Sequence, residues 1–226
     1  MERLFDILLS AFAIIIFSPL IIPTILVLRM TGEGEVFFLQ DRVGKDFKIF
    51  KLFKFSTMLK DSPNLVGGTI TIKDDPRVLP IGKFLRNLKI NELPQLLNVF
   101  LGDISLIGPR PLTEQNFNSY SLKTQNIITK VKPGLSGIGS IIFRMEESIM
   151  HGENASSQFY NETISPYKGD VEEWFVHNRS LYLYFKIIFV TIWVVIFPGS
   201  KIVWRSFKDI PVPPKKLKSE LNYKDY

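Results

Sequence analysis

Residues 7–28 read ILLSAFAIIIFSPLIIPTILVL, twenty-two consecutive residues without a charged side chain. As one helix the segment would be about 33 Å long, enough to cross a bilayer core of about 30 Å. Pro19 and Pro23 lie near its middle, and each lacks a helical N–H and clashes with the carbonyl four residues before it. Two membrane paths therefore stay open, a kinked spanning helix and a re-entrant hairpin bent at Ser18 and Pro19.

The residues that flank this segment argue against a cleaved signal peptide. Only a few residues precede it, and Arg29, Gly32 and Glu33 stand where a small-residue cleavage site would be needed. The basic chain after Arg29 is expected on the cytoplasmic side of the membrane.

The composition of the 226 residues narrows the chemistry. The absence of cysteine excludes disulfide scaffolds, thiolate metal sites and cysteine nucleophiles, and two histidines are too few for a three-histidine metal site within one chain. Lysine and arginine number 28 against 22 aspartates and glutamates, and the mean hydropathy is +0.13. A chain that is both basic and apolar favours a membrane surface and phosphorylated ligands. Nucleic-acid binding is disfavoured because no recognition motif accompanies the charge.

Two local patterns follow the apolar segment. The aromatic and β-branched runs of residues 36–55 flank turn residues and predict a β-hairpin, whose interleaved lysines form either a solvated edge or a surface for lipid headgroups. Residues 57–76 read as a polar loop and 81–88 as a short helix.

The clearest helical pattern starts at Asn91. Leu93, Leu96, Leu97 and Phe100 have the spacing of one apolar helical face. We expect Asn91 to cap this helix, with Pro94 in its first turn and Gly102 after its end. Asn91 and Glu92 would then lie at the positive end of a helix, a natural place for phosphate.

The second half is less distinct. Residues 103–111 predict a strand that ends in the Gly-Pro-Arg-Pro loop, 117–130 a helix, and 132–139 a glycine-rich segment. The apolar stretch 175–197 is either an interfacial or a buried helix. The end from Pro211 is expected to be a basic, poorly ordered tail.

Several motifs together resemble the bacterial sugar transferases, the monotopic polyprenyl-phosphate phosphoglycosyl transferases. The resemblance covers about residues 3–189. It rests on Ser18-Pro19 and on four strings: FFLQDRVGKDFKIFKLFKFSTM (37–58), DDPRVLPIGKFLR (74–86), NELPQLLNVFLGDISLIGPRP (91–111) and KVKPGLSG (130–137).

This resemblance implies an activity and a fold. Such enzymes transfer a sugar 1-phosphate from a nucleoside diphosphate sugar, usually a UDP-sugar, to polyprenyl (undecaprenyl) phosphate, the first step of surface glycan synthesis. The family core is a small α/β (α+β) unit with helices in the membrane interface, and its anchor is a re-entrant helix broken at Ser-Pro. The resemblance thus favours the hairpin path at Ser18 and Pro19.

The implied layout has three parts and a set of partners. Residues 1–30 would form the re-entrant anchor, 31–210 the catalytic domain and 211–226 the basic tail. The partners would be the bilayer, polyprenyl phosphate and the nucleotide sugar, without nucleic acid, and a homodimer is compatible with the sequence. The protein would lie in the bacterial inner membrane with its catalytic domain on the cytoplasmic face.

The implied site residues suit phosphoryl transfer. Glu92 is the expected catalytic carboxylate and Mg²⁺ ligand, because Mg²⁺ prefers a few oxygen ligands. The alternative role for Glu92 is a surface carboxylate that the positive end of a helix dipole stabilises. Arg110, held between two prolines, is the expected phosphate fork. The resemblance adds three weaker phosphate-binding candidates: Arg77, Arg86 and Lys54.

The main departure from the family pattern is Asn91, which stands at the position of the family's nucleophilic aspartate. An amide is a poor nucleophile, so three readings remain. The lipid phosphate attacks the donor directly, another carboxylate such as Glu92 or Asp103 replaces the nucleophile, or the chain is a catalytically impaired membrane scaffold that binds a partner or the lipid carrier. Glu172 falls where the family often has aspartate.

Overall fold

The computed structural model describes residues 1–31, 33–60, 62, 75–144, 146–150 and 156–223. Of the polar loop expected at 57–76, residues 61 and 63–74 lie outside this part, including Asp74 of the second motif. The chain forms two compact units. We call residues 4–41 and 51–102 the amino-terminal unit, and residues 1–3, 42–50 and 103–226 the carboxy-terminal unit. Both helices and strands are present, as expected for the α/β class.

Helix α1 (Glu2–Met30) runs through both prolines without interruption. Pro19 has no N–H for the carbonyl of Ile15, and the hydroxyl of Ser18 donates to that carbonyl instead, at 2.7 Å. This replacement bond explains how a helix tolerates Ser-Pro in an apolar setting. Most apolar side chains of α1 are exposed, which indicates a membrane-associated protein. The re-entrant path stays a prediction.

The predicted hairpin is confirmed as β1 (Phe37–Val43) and β2 (Ile49–Phe55). Its five-residue connection contains a 3₁₀ turn, Lys45–Phe47, in which Asp46 and Phe47 have φ of 54° and 61°. The predicted short helix is α2 (Pro80–Asn87). Gly82 of α2 approaches the chain closely, because a Cβ there would lie 2.2 Å from the carbonyl oxygen of Thr57.

Helix α3 (Gln95–Leu101) corrects two expectations. Asn91 is not its cap, since Ile90–Glu92 form a separate 3₁₀ turn and Pro94 precedes α3 without a side-chain cap. Leu97 and Phe100 are exposed, whereas Asn98 is fully buried.

Asn98 is the physical reason for this rotation of α3. Its amide donates to the carbonyl of Lys51 at 2.8 Å and accepts from the N–H of Phe53 at 2.9 Å. The side chain thus makes the kind of backbone hydrogen bonds with β2 that a neighbouring strand would make. The predicted end at Gly102 is confirmed, with φ of 98°.

An apolar core holds these elements of the amino-terminal unit together. Buried Leu28, Phe55, Leu85 and Ile90 pack against one another. Helix α1, strand β2, helix α2 and the 3₁₀ turn each contribute one of these residues, so the turn that carries Asn91 and Glu92 is fixed by apolar packing.

The carboxy-terminal unit is built on a short parallel strand pair. Strand β3 (Ser105–Ile107) pairs with β4 (Gly134–Ser136), with Ser105 opposite Gly134. The helix expected at 117–130 is divided in two, and further helices follow. They are α4 (Glu114–Phe117), α5 (Leu122–Ile128), α6 (Ile138–Ile142), α7 (Glu146–Ile149), α8 (Ser157–Phe159), the π-helix Tyr160–Ile164, α9 (Ser165–His177), α10 (Leu181–Ile196), α11 (Ile202–Ser206) and α12 (Lys215–Lys218).

Two regions of this unit answer questions that the sequence left open. Helix α10 buries one apolar face, as the buried-helix reading expected, and exposes other apolar side chains. An interfacial position for it stays a prediction. The end from Pro211 is ordered through Tyr223, contrary to expectation. Leu217 is fully buried, and the indole N–H of Trp204 donates to the carbonyl of Leu221 at 3.1 Å. Apolar side chains among the lysines account for this packing.

Candidate active site

The amino-terminal unit carries Asn91 and Glu92 on the 3₁₀ turn before α3. Lys89 enters this turn with a left-handed φ of 59°, and buried Ile90 attaches it to the core. Both Asn91 and Glu92 are half-buried. Within the described residues the Oδ1 atom of Asn91 is buried and has no hydrogen-bond partner. An unpaired buried acceptor costs about 1–3 kcal/mol, so such a position is typical of a functional site.

Arg77 lies in the same unit, in a buried ion pair. Its Nε and Nη2 bind the two carboxylate oxygens of Asp75 at 2.9 and 2.6 Å, and its Nη1 donates to the carbonyl of Ser62 at 2.8 Å. Arg77 is therefore a buried and paired cation. Its guanidinium is occupied by the protein, and a phosphate-binding role for it stays a prediction.

Arg86 and Lys54 are the other cations of this unit. Arg86 lies half-buried in the last turn of α2, with its Nη1 3.5 Å from the hydroxyl of Thr57. Lys54 is half-buried on β2. The amino-terminal unit thus contains Asn91, Glu92 and three of the four predicted phosphate-binding residues, while Arg110 belongs to the other unit.

Arg110 is an exposed side chain on a firmly held loop of the carboxy-terminal unit. Three hydrogen bonds fasten residues 109–111: Gly134 N–H donates to the Pro109 carbonyl at 2.8 Å, Arg110 N–H to Glu172 Oε1 at 3.2 Å, and Arg42 Nη1 to the Pro111 carbonyl at 3.0 Å. A guanidinium on such a loop is positioned in advance for an anion. A small cleft beside it is lined by Val43, Leu112 and Phe117.

Glu172 has a larger structural role than its sequence position suggested. It is buried on α9, and within the described residues its Oε2 has no hydrogen-bond partner. Burial raises the pKa of Glu172 to about 7, while the Arg110 N–H and the charge of Lys168 oppose the increase. A Cβ on Gly139 would lie 2.4 Å from Oε1, so only glycine leaves room for this carboxyl.

Lys168 and Glu146 were missed by the sequence reasoning. Lys168 is buried one helical turn before Glu172, pairs with Glu146 at 2.5 Å and lies 4.9 Å from the ring centre of Phe143. Burial lowers the pKa of Lys168, and Glu146 opposes that shift. The spacing of four between Lys168 and Glu172 was the available signal, because it places both charges on one helix face.

The turn at Asn91 and Glu92 was also compared with the needs of Mg²⁺. Among the described residues, no three histidine, aspartate or glutamate side chains form a cluster. Mg²⁺ usually takes one or two protein carboxylates and completes its shell with water and substrate phosphates. Half-buried Glu92, beside an unpaired amide oxygen, fits such a sparse site.

Comparisons with known proteins identify the family of this chain. The family described as bacterial sugar transferase matches residues 1–198. The sugar transferase EpsL of Bacillus subtilis is 37% identical over 192 residues, which cover 85% of each chain.

Two longer relatives match a similar part of the chain. A UDP-N-acetylgalactosamine-undecaprenyl-phosphate N-acetylgalactosaminephosphotransferase of Aeromonas hydrophila is 35% identical over 84% of this chain. A UDP-glucose:undecaprenyl-phosphate glucose-1-phosphate transferase of Klebsiella pneumoniae is 32% identical, also over 84%. The matched regions span only 42% and 39% of those two proteins. Since the family match covers the amino-terminal unit and most of the carboxy-terminal unit, the chain belongs to the bacterial sugar transferase family.

Proposed function

We propose that this protein transfers a sugar 1-phosphate from a UDP-sugar to undecaprenyl phosphate and so starts the synthesis of a surface glycan. An oxygen of the lipid phosphate forms a bond to the sugar-bearing phosphorus, the bond to the UMP oxygen breaks, and UMP leaves. The observation that carries the proposal is the family match over residues 1–198, a range that includes Glu92 and Arg110. The names of the Aeromonas and Klebsiella relatives describe this class of reaction.

The residues divide the electrostatic work of bringing two anions together. Arg110, on its fastened loop, would bind a phosphate oxygen of the donor as a fork of N–H donors. Lys54 and Arg86 would bind phosphate oxygens as further positive charges. Glu92 would hold Mg²⁺, which when bound neutralises the charge on the diphosphate.

Asn91 favours direct attack by the lipid phosphate. Its amide offers no anionic oxygen for a covalent phosphosugar intermediate. Because asparagine is neutral, the site has one negative charge fewer than it would have with aspartate, which reduces repulsion of an incoming phosphate anion. The competing hypothesis is a catalytically impaired scaffold, and its motivation is the same residue.

The proposed setting is the cytoplasmic face of the inner membrane. The exposed apolar surface of α1 supports insertion, and the Ser18 hydroxyl bond supports a proline-containing helix in lipid. The re-entrant path of this helix is proposed from the resemblance at Ser18-Pro19. The exposed apolar face of α10 would lie in the interface.

Activity is tested with the full chain in lipid nanodiscs, with Mg²⁺, undecaprenyl phosphate and a panel of UDP-sugars. Release of UMP with at least one donor is expected. Exposed Glu114 and Lys130 supply matched controls, so Glu114→Gln and Lys130→Ala are compared with Glu92→Gln and Arg110→Ala. If no donor gives UMP, and Asn91→Asp is also silent, the scaffold hypothesis is favoured instead.

A further inference from the structure

The segment after the family match has an unusual charge. Residues 199–223 carry a net charge of +4, against +6 for the whole chain. The match itself ends at residue 198. We call residues 199–223 the basic extension. Its six basic residues are Lys201, Arg205, Lys208, Lys215, Lys216 and Lys218.

The basic extension is a fixed part of the carboxy-terminal unit. The ring of Trp204 meets Tyr223 edge to face with centroids 5.0 Å apart, and Phe207 meets Trp174 in the same way at 6.2 Å. The hydroxyl of Tyr167 donates to the carbonyl of Pro211 at 2.8 Å. The charges are therefore presented from a packed surface, unlike those of a disordered tail.

Most of these charges have no acidic partner in the described part of the chain. Only Lys218 has a described contact, over the ring of Tyr223 at 5.3 Å. No ion pair or hydrogen bond of the described residues involves the other five side chains, and four of them are exposed: Arg205, Lys208, Lys215 and Lys216. Unpaired cations held on one short segment create a field that attracts an anionic surface.

An exposed apolar stripe leads directly to this charge. The exposed apolar side chains of α10, continued by Phe197 just after the helix, end two residues before the basic extension begins at residue 199. They are Tyr182, Phe185, Phe189, Ile192, Trp193, Val195, Ile196 and Phe197. Within the extension, Val212 is also exposed. An apolar stripe next to clustered lysines is the composition of a segment that lies at the surface of an anionic bilayer.

We infer that the basic extension docks on the headgroups of anionic phospholipids, and that lipid charge fixes this end of the protein against the membrane. A soluble polyanion would not need the adjoining apolar stripe, which is why a bilayer is the better match. The inference rests on the membrane placement proposed above, but it concerns residues outside the family match and is read without measuring transfer.

The test uses the absence of cysteine in the chain. Val212→Cys introduces one thiol on the exposed surface, and an environment-sensitive fluorophore attached there reports the approach of lipid. The labelled full chain is placed in nanodiscs of phosphatidylcholine alone or with about 30% phosphatidylglycerol. Emission is expected to shift to shorter wavelength with the anionic lipid. The shift should vanish as salt rises from about 0.01 M to about 1 M, because the Debye length falls from about 30 Å to about 3 Å.

Charge variants identify the residues that carry the effect. Each neutralised lysine should weaken docking roughly fivefold, so Lys215→Gln with Lys216→Gln should weaken it about 25-fold. The matched control is Lys83→Gln with Lys130→Gln, two exposed lysines elsewhere, which should leave the shift unchanged.

Three outcomes would overturn the inference. They are an equal shift in neutral nanodiscs, an unchanged shift in the Lys215 and Lys216 variant, and a shift produced by a soluble polyanion such as heparin in neutral nanodiscs. The last result would assign the surface to a soluble partner. None of them bears on UMP release, so the proposed transferase reaction would stand or fall separately.

Discussion

The Asn91–Glu92 turn and the Arg110 loop are held in different ways. Apolar packing fixes the turn through Ile90, and Asn91 Oδ1 has no hydrogen-bond partner among the described residues. Three hydrogen bonds fasten the loop, one of them to the buried carboxyl of Glu172. The turn can therefore change its chemistry at small cost to folding, whereas the loop is tied to a buried charge network. Substitution of Glu92 in the turn should change activity alone. In the second region, substitution of the exposed Arg110 side chain should also change activity alone, whereas substitution of the buried Glu172 carboxyl should change stability.

Glu92→Gln is expected to have the largest effect, and only on activity. Loss of the carboxylate that would hold Mg²⁺ should lower UMP release about a thousandfold, which corresponds to about 4 kcal/mol. Glu92 is half-buried, so the unfolding free energy should change by less than about 0.5 kcal/mol. Initial rates and thermal unfolding in nanodiscs measure both. A large loss of stability would break the contrast between the regions.

Arg110→Ala comes next, with a loss of about a hundredfold in kcat/KM. The conservative variant Arg110→Lys should recover at most about tenfold, because a point charge does not replace a two-pronged guanidinium. Since the loop is fastened through its backbone, neither variant should unfold the protein. Full activity in Arg110→Lys would show that only positive charge is needed.

The Glu172 carboxyl gives a pH test of the loop network. Its pKa is raised from 4.5 to about 7 by burial, so the folded state holds a proton that the unfolded chain has released between these values. This contribution to stability is fully present below about pH 4.5 and is lost as pH rises through about 7, a change of about 3 kcal/mol. Lys168 and the Arg110 N–H face the same carboxyl and moderate the shift.

Glu172→Gln should remove this dependence on pH. The unfolding midpoint temperature of the wild type should fall relative to that of the variant as pH rises from about 4.5 to about 7. Exposed Glu114→Gln is the control, and its midpoint should change with pH as the wild type's does. Parallel pH profiles for the wild type and Glu172→Gln would contradict a protonated, buried carboxyl beneath the loop.

Gly139→Ala should have a smaller effect on the same network. Its methyl group would press on Glu172 Oε1, so we expect a loss of about 1–3 kcal/mol in unfolding free energy. Glu172→Asp shortens the side chain, and the double variant should lose less than the sum of the two single variants. Strict additivity would show that the two residues do not press on each other.

Local sequence signals predicted the elements but not the polar networks. The hairpin at 36–55, helix α2 and the end of α3 at Gly102 follow from residue patterns alone. The buried face of α3 could not be predicted from its residue pattern. Asn98 is buried because its amide bonds to β2, whereas asparagine in a sequence is usually taken for a surface residue. Arg77 was likewise predicted to bind phosphate because of its charge, and its buried ion pair with Asp75, two residues away, was not predicted. The order of residues 211–223 depends on contacts with Trp204, which no local pattern reports.

The most direct test of the central claim is to leave out the acceptor. The wild type in nanodiscs receives Mg²⁺ and its UDP-sugar without undecaprenyl phosphate, and both UMP and the intact protein mass are measured. Direct transfer through a site with Asn91 predicts no UMP and an unchanged mass, with UMP released only when the lipid is added. A stoichiometric burst of UMP together with a sugar-phosphate adduct on the protein would contradict the account.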